Sequence, residues 1–229
     1  MMQGFRTALI GATIFVTTNC ALAQKHPALT SRATKAAPQP VAEQSVPLDP
    51  QLAIQMANDY FNAAHVMTAD FVQVGADGRR SEGKLYVLKP GRLRFEYALP
   101  ATMEIIADGV SVAIRDRKLQ TQQLYFISQT PLKFLLKDKL HLSKDVKVTG
   151  VTSNDKSTII TIEDDSTFGG TSIIKLNFDR RNFTLQQWEV TDPQGYETLV
   201  TLHNVDLKTT PDPKLFRIPP TNFWPSRNN

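Results

Sequence analysis

Alternating apolar and polar residues between positions 79 and 100 predict a β-hairpin with one covered and one solvated face. From 92 to 97 every second residue is apolar, and the residues between them are arginine or glutamate. A period of two is that of a strand whose side chains point alternately to opposite faces of a sheet. Pro90 and Gly91 supply the turn, because proline fixes one backbone angle and glycine accepts a positive one. The apolar face of this hairpin carries Leu85, Val87, Leu93, Phe95 and Tyr97.

Further short strands with this alternation follow along most of the chain. Glycine-containing turns separate them, such as Asp108-Gly109, Gly169-Gly170 and the turn at 193–195. Many short strands in series, joined by tight turns, indicate an antiparallel sandwich or barrel. The predicted strands cover residues 68–74, 103–107, 110–115, 119–126, 145–151, 158–163, 171–178, 185–190 and 197–207.

Two stretches have helical spacing instead. Asp49 is a good N-cap and Pro50 a good first helical residue, and apolar residues then recur at intervals of three and four as far as position 64. A second short helix is predicted from Thr130 and Pro131 to Leu136, and a last helical turn over 211–216. Each of the first two helices has one apolar face to cover a core.

These elements together predict a mainly β fold. A sheet with one apolar face must cover it, and two short helices barely cover so many strands. A curved sheet with helices across its mouth would leave an apolar cavity, as small barrels and half-barrels can. The expected cavity lining comprises Met56, Tyr60, Phe61, Leu85, Val87, Leu93, Phe95, Tyr97, Met103, Ile105, Leu132, Leu135 and Leu136.

The N-terminal residues are predicted to be a targeting signal. Arg6 precedes an apolar run, and Ala21-Leu22-Ala23 fits the small-x-small cleavage pattern, so we expect a signal peptide over 1–23. Cys20 leaves lipid attachment as the alternative, although the residues before it do not form a lipidation box. Residues 24–48 are rich in proline and alanine and predict a disordered linker, and 49–229 the folded domain. Cleavage after Ala23 removes the single cysteine, so packing without disulfides must hold the fold.

Composition and motifs narrow the class of function. The 229 residues are 41% hydrophobic and 21% charged with a net charge of +4, and no compact basic-aromatic patch indicates nucleic-acid binding. The sequence has no nucleophile elbow, no P-loop, no Gly-x-Gly-x-x-Gly and no His-Glu-x-x-His. The four histidines lack partners at metal-ligand spacing, and the acidic residues at 163–165 are typical of a solvated turn. We therefore expect neither an enzyme nor a cofactor or metal, and an exported hydrolase is the least favoured alternative.

A resemblance adds to this pattern between positions 68 and 136. The segments that carry it, in order, are Phe71-Val72-Gln73, Gly83-Lys84-Leu85-Tyr86, the run from Lys89 to Tyr97, Ala107-Asp108-Gly109 and Thr130-Pro131-Leu132. In this order and at this spacing they resemble the LolA family of periplasmic lipoprotein carriers. The resemblance implies a mainly β fold: an incomplete, open antiparallel β-barrel with short α-helices forming a lid over the apolar cavity.

The resemblance also implies a function in the periplasm. Such a carrier accepts acylated lipoproteins from an inner-membrane ABC transporter and delivers them to an outer-membrane receptor or to the outer membrane directly. We expect it to act as a monomer that binds the acyl chains of its cargo. The alternative is a periplasmic lipid or lipoprotein sensor that uses the same half-barrel. The family commonly has arginine before Pro90, where it can contact the lid; here the residue is Lys89, which has no guanidinium fork.

Overall fold

The computed structural model describes residues 47–131 and 133–220, which form one antiparallel sheet and three short α-helices. The predicted signal peptide and nearly all of the predicted linker lie outside the described residues, as does Leu132. The elements are α1 (Pro50–Ala63), β1 (Val66–Val74), β2 (Arg80–Leu88), β3 (Arg92–Tyr97), β4 (Met103–Asp108), β5 (Ser111–Asp116), β6 (Thr121–Phe126), α2 (Lys133–Leu136), α3 (Leu142–Asp145), β7 (Lys147–Ser153), β8 (Ser157–Thr167), β9 (Gly170–Asp179), β10 (Leu185–Thr191) and β11 (Glu197–Asp206).

The sheet consists of two meanders that share one seam. Its strand order is β6-β5-β4-β3-β2-β1-β11-β10-β9-β8-β7, and every pairing is antiparallel. Strands β6 and β7 are the two edges and do not pair with each other, so the sheet stays open. The prediction of a mainly β, open antiparallel architecture is confirmed. No helix in the described residues is long and apolar enough to span a bilayer.

Helix α1 begins as the sequence predicts. The carboxylate of Asp49 accepts a hydrogen bond from the Leu52 backbone N–H at 2.9 Å, and proline occupies the first turn. Such a cap satisfies a backbone donor that the helix itself cannot. The helix buries Ala53, Ala57 and Phe61 against the sheet.

The chain between the two edge strands differs from its prediction. This bridging segment, defined as residues 127–146 apart from Leu132, holds a 3-10 helix (Ile127–Gln129), α2 and α3. The sequence predicts one helix from Pro131 and a strand from Asp145. The structure instead begins α2 at Lys133 and places a helical turn at Leu142–Asp145. A partner distant in sequence stabilises that turn, because the Leu142 N–H donates to Asn58 of α1 at 2.9 Å.

The chain after β11 crosses the opposite face of the sheet. A 3-10 helix at Pro213–Phe216 lies against β3 and β4, near the predicted last helical turn. The Arg94 guanidinium donates to the Leu215 carbonyl at 3.2 Å and to Glu104 at 2.9 Å. The C-terminal segment therefore packs on the face opposite to the helices, and the main core lies between the helices and the other face.

Candidate functional site

Most of the side chains expected to line a cavity lie in one apolar cluster between the sheet and the helices. Each strand contributes alternate residues, as its burial pattern shows. Met103 is not part of this cluster, since it begins β4 and is 40% exposed. The expected residues that are buried in the cluster are Phe61, Leu85, Val87, Leu93, Phe95, Tyr97, Leu135 and Leu136, and those packed against it are Met56, Tyr60 and Ile105.

Aromatic rings join the helices to the sheet. The Phe61 ring of α1 meets Phe134 of α2 at 5.8 Å and Phe178 of β9 at 5.9 Å between centroids, both edge-on. Such edge-to-face pairs stabilise beyond the area they bury. Phe134 and Phe178 were not predicted from the sequence to belong to the site. The alternation of residues in 171–178 is the signal that could have placed Phe178 there.

Lys89 lies at the turn between β2 and β3 and contacts α1. Its backbone N–H donates to the His65 carbonyl at 2.9 Å, and its ammonium donates to the Phe61 carbonyl. Phe61 is in the last turn of α1, where unpaired carbonyls attract a cation. Burial lowers the pKa of the Lys89 ammonium to about 8, and the charge of Asp138 offsets part of this effect.

Backbone contacts attach the bridging segment to α1 and to the same turn. The Asn62 amide donates to the Leu140 carbonyl at 3.0 Å and accepts from the Leu140 N–H at 2.7 Å. The Gly91 N–H donates to the Leu136 carbonyl at 2.9 Å. These polar contacts add to the apolar side chains that the bridging segment buries in the cluster.

The cluster offers little acid–base chemistry. Burial raises the pKa of both Tyr60 and Tyr97 to about 12, so both phenols are protonated at neutral pH. The Tyr97 hydroxyl donates to Gln73 at 2.7 Å. Within residues 47–131 and 133–220, no three His, Cys, Asp or Glu side chains are grouped to hold a metal ion. What the described part of the site provides is apolar surface.

Comparison with known proteins identifies the family. Residues 62–219 match the family described as "Outer membrane lipoprotein carrier protein LolA". The chain belongs to the LolA family. The match includes all eleven strands and the bridging segment, so it extends well beyond the stretch on which the resemblance was first seen. The family is described as one of carriers, not of enzymes.

A curated relative and several solved structures are also similar. An outer-membrane lipoprotein carrier protein of Methylococcus capsulatus is 26% identical over 170 residues, which cover 70% of this chain and 80% of that protein. A LolA superfamily protein of Nitrosomonas europaea aligns with a TM-score of 0.42 and 11% identity, over 75% of this chain and 98% of its own. A putative outer membrane lipoprotein-sorting protein domain of Vibrio parahaemolyticus aligns with a TM-score of 0.43 and 9% identity, over 73% and 97%.

Proposed function

We propose that this LolA-family protein is a periplasmic carrier that binds the acyl chains of lipoproteins and delivers them to the outer membrane. The observation that carries the proposal is the apolar sheet face beneath separately attached helices. The cargo in this proposal comes from an inner-membrane ABC transporter and goes to a receptor or directly to the outer membrane. The protein acts as a monomer and needs no cofactor.

Hydrophobic transfer supplies the affinity in this mechanism. Each acyl CH₂ group moved out of water contributes about 0.8 kcal/mol, so a site without polar chemistry holds such chains firmly. Leu93, Phe95 and Tyr97 lie in a row along β3 and present the required surface. A buried polar group in that row would have to find a partner or weaken binding.

Binding requires the helices to move, because the apolar face is covered in this structure. Leu93 is fully buried, and Phe61 and Leu136 are buried above the sheet. Acyl chains replace those contacts when α1 and the bridging segment lift from the sheet. The free-energy cost of lifting the helices stays small, because acyl chains replace the apolar side chains that are withdrawn. In this proposal Lys89 is the lid contact, because it ties the end of α1 to the sheet.

Trp188 provides a direct test. It is buried in the cluster, with its ring 6.3 Å from that of Phe95. The chain has two tryptophans, so Trp224→Phe leaves Trp188 as the only indole. We expect a synthetic diacylated lipopeptide with brominated acyl chains to quench Trp188 fluorescence when it binds, because bromine quenches only at close range.

Matched ligands make the outcomes distinct. The same lipopeptide without bromine should bind with equal affinity and quench little, and the peptide without acyl chains should not bind. Binding of the brominated ligand without quenching would place the acyl chains away from this face. A lipopeptide that does not bind at all would overturn the carrier function.

A further inference from the structure

We propose that the buried ion pair between Lys133 and Asp164 is a latch that fastens the bridging segment across the open side of the sheet. Lys133 begins α2, and Asp164 belongs to β8, beside the edge strand β7. The Lys133 ammonium contacts the Asp164 carboxylate at 2.7 Å, and the two side chains are only 17% and 4% exposed. The latch deepens the proposed function and rests on it, since it governs the movement that admits acyl chains.

Asp164 follows Thr158, Ile160 and Ile162 in the buried row of its strand. Along β8 every second residue is buried, and Ile160 and Ile162 precede Asp164 on the covered face. A carboxylate in an apolar row is costly unless a partner compensates its charge. Burial alone would raise the pKa of Asp164, but hydrogen bonds from Lys133 and Ser166 outweigh burial, and the pKa lies below its ordinary value.

Two neighbouring contacts join the same parts of the chain. The Phe168 N–H, at the end of β8, donates to the carbonyl of Gln129 in the bridging segment at 2.8 Å. The ring of Phe168 also meets that of Tyr125 on edge strand β6, at 6.0 Å between centroids. The β8–β9 hairpin therefore reaches the chain leaving β6 and spans the gap that the sheet leaves open.

An ion pair suits a contact that must both close and open. In the closed state the attraction between the charges is largely offset by the loss of their hydration. In the open state both charges are hydrated again. The pair therefore fixes where the segment sits and stabilises the closed state less than an apolar pair would. An apolar pair in the same place has no such offset and would hold the segment more firmly.

Hydrogen exchange of two amides reports on the latch directly. The N–H groups of Phe168 and Gly91 both donate to the bridging segment, one from the β8–β9 turn and the other from the β2–β3 turn. In ligand-free protein, Asp164→Asn leaves Lys133 without its counter-charge. We expect both amides to exchange about tenfold faster, or more. Glu163→Gln is the matched control, because Glu163 is the neighbour of Asp164 on β8 and pairs instead with the exposed Lys147 of β7. Exchange in that variant should equal that of the wild type.

A second variant gives a result in the opposite direction. The double replacement Lys133→Met with Asp164→Leu should slow the exchange of both amides and also slow the release of bound lipopeptide. If Asp164→Asn does not fold, slower exchange in the double variant supports the latch and faster exchange overturns it. Equal exchange in Asp164→Asn and Glu163→Gln also overturns it. Hydrogen exchange is measured without ligand, so a negative result would overturn the latch alone. The carrier proposal is tested separately, by the Trp188 experiment.

Discussion

Lys89 joins the β2–β3 turn to the end of α1, and its ammonium must be buried to do so. Its ammonium is buried beside the last turn of α1, and within the described residues the Phe61 carbonyl is the one hydrogen-bond acceptor that it reaches. An arginine has five donors in a rigid fork and would reach more than one carbonyl from the same place. Lysine holds α1 through a single side-chain contact, and burial of its ammonium lowers its pKa. In the proposed carrier this contact is easily broken and remade.

The lowered pKa of Lys89 predicts a stability that rises with pH. Between about 8 and the ordinary value of 10.5, the unfolded chain binds more protons at this site than the folded chain. Stability therefore increases as the pH passes through that interval. We expect the difference in Tm between wild type and Lys89→Met to shift in favour of the wild type from about pH 7 to about pH 10. Parallel thermal melts measure this shift.

Lys84 is the control for that titration. It is exposed, and its hydrogen bond to Asp70 raises its pKa. A raised pKa gives stability that is present below the ordinary value and is lost only above it. The Tm difference between wild type and Lys84→Met should stay level over the same interval. A rise of equal size for both variants would show that Lys89 is not the titrating group.

Single-residue features were predictable only where they belong to a local pattern. The Asp49 cap and the alternation along β3 involve neighbours in sequence, and both are as predicted. The roles of Asn58 and Asn62 were not predicted, because their partners lie 84 and 78 residues further along the chain. The sequence around these two residues predicts only that they lie on the polar side of a helix.

At the scale of elements, the hairpin of β2 and β3 is constrained by a glycine. Gly83 pairs with Phe71 on one side and Tyr97 on the other. A Cβ atom at Gly83 would lie 2.1 Å from the Glu96 carbonyl oxygen, which belongs to the backbone and cannot move aside alone. Close backbone approach thus explains a glycine in the middle of a predicted strand region.

Two glycine substitutions should therefore have opposite consequences. We expect Gly83→Ala to lower the free energy of unfolding by about 1–3 kcal/mol or more, as overpacking does. Gly150→Ala should be neutral or slightly stabilising, because a Cβ there is 3.9 Å from its nearest neighbours, the Thr161 side-chain atoms. Urea unfolding of both variants measures the two effects. Equal losses would mean that close approach at Gly83 is not the cause.

The bridging segment marks the limit of prediction for elements. Strands were predictable because each repeats a period of two, and a short error in a strand boundary does not change the face it presents. Helix α3 has four residues and no side-chain hydrogen bond at its N-cap, His141. Tertiary contacts with α1 create it, so no local signal marks it. Likewise, Asp164 contacts Lys133 from 31 residues further along the chain, and no local pattern marks this pairing.

At the scale of the molecule, the helices and the sheet are separate layers. The sheet is joined by continuous strand pairing, whereas a few hydrogen bonds and apolar contacts hold α1 and the bridging segment. Elements held by fewer contacts open at lower free energy than the rest of a protein. The helical layer should therefore open while the sheet stays folded.

Thiol labelling can detect this partial opening. Ala107 is fully buried on the covered face of β4, and alanine to cysteine is a small change. In a Cys20→Ser background, we expect Ala107→Cys to react by an opening whose urea dependence is a fraction of that for global unfolding. Saturating lipopeptide should slow the reaction. Labelling with the full urea dependence of global unfolding would show that the layers do not separate.

The seam between β1 and β11 has a consequence for how the chain reaches its native state. All the other strand pairs of the sheet join strands that are neighbours in sequence. The β1–β11 pair instead joins distant parts of the chain, as the pairing of Asp70 with His203 shows. Nearly the whole domain must be synthesised before this contact can form, and loop closure over such a length is slow. Until then β1 presents an unpaired edge on which other chains can add. We infer that the nascent chain stays prone to aggregation until β11 has been synthesised and has paired with β1.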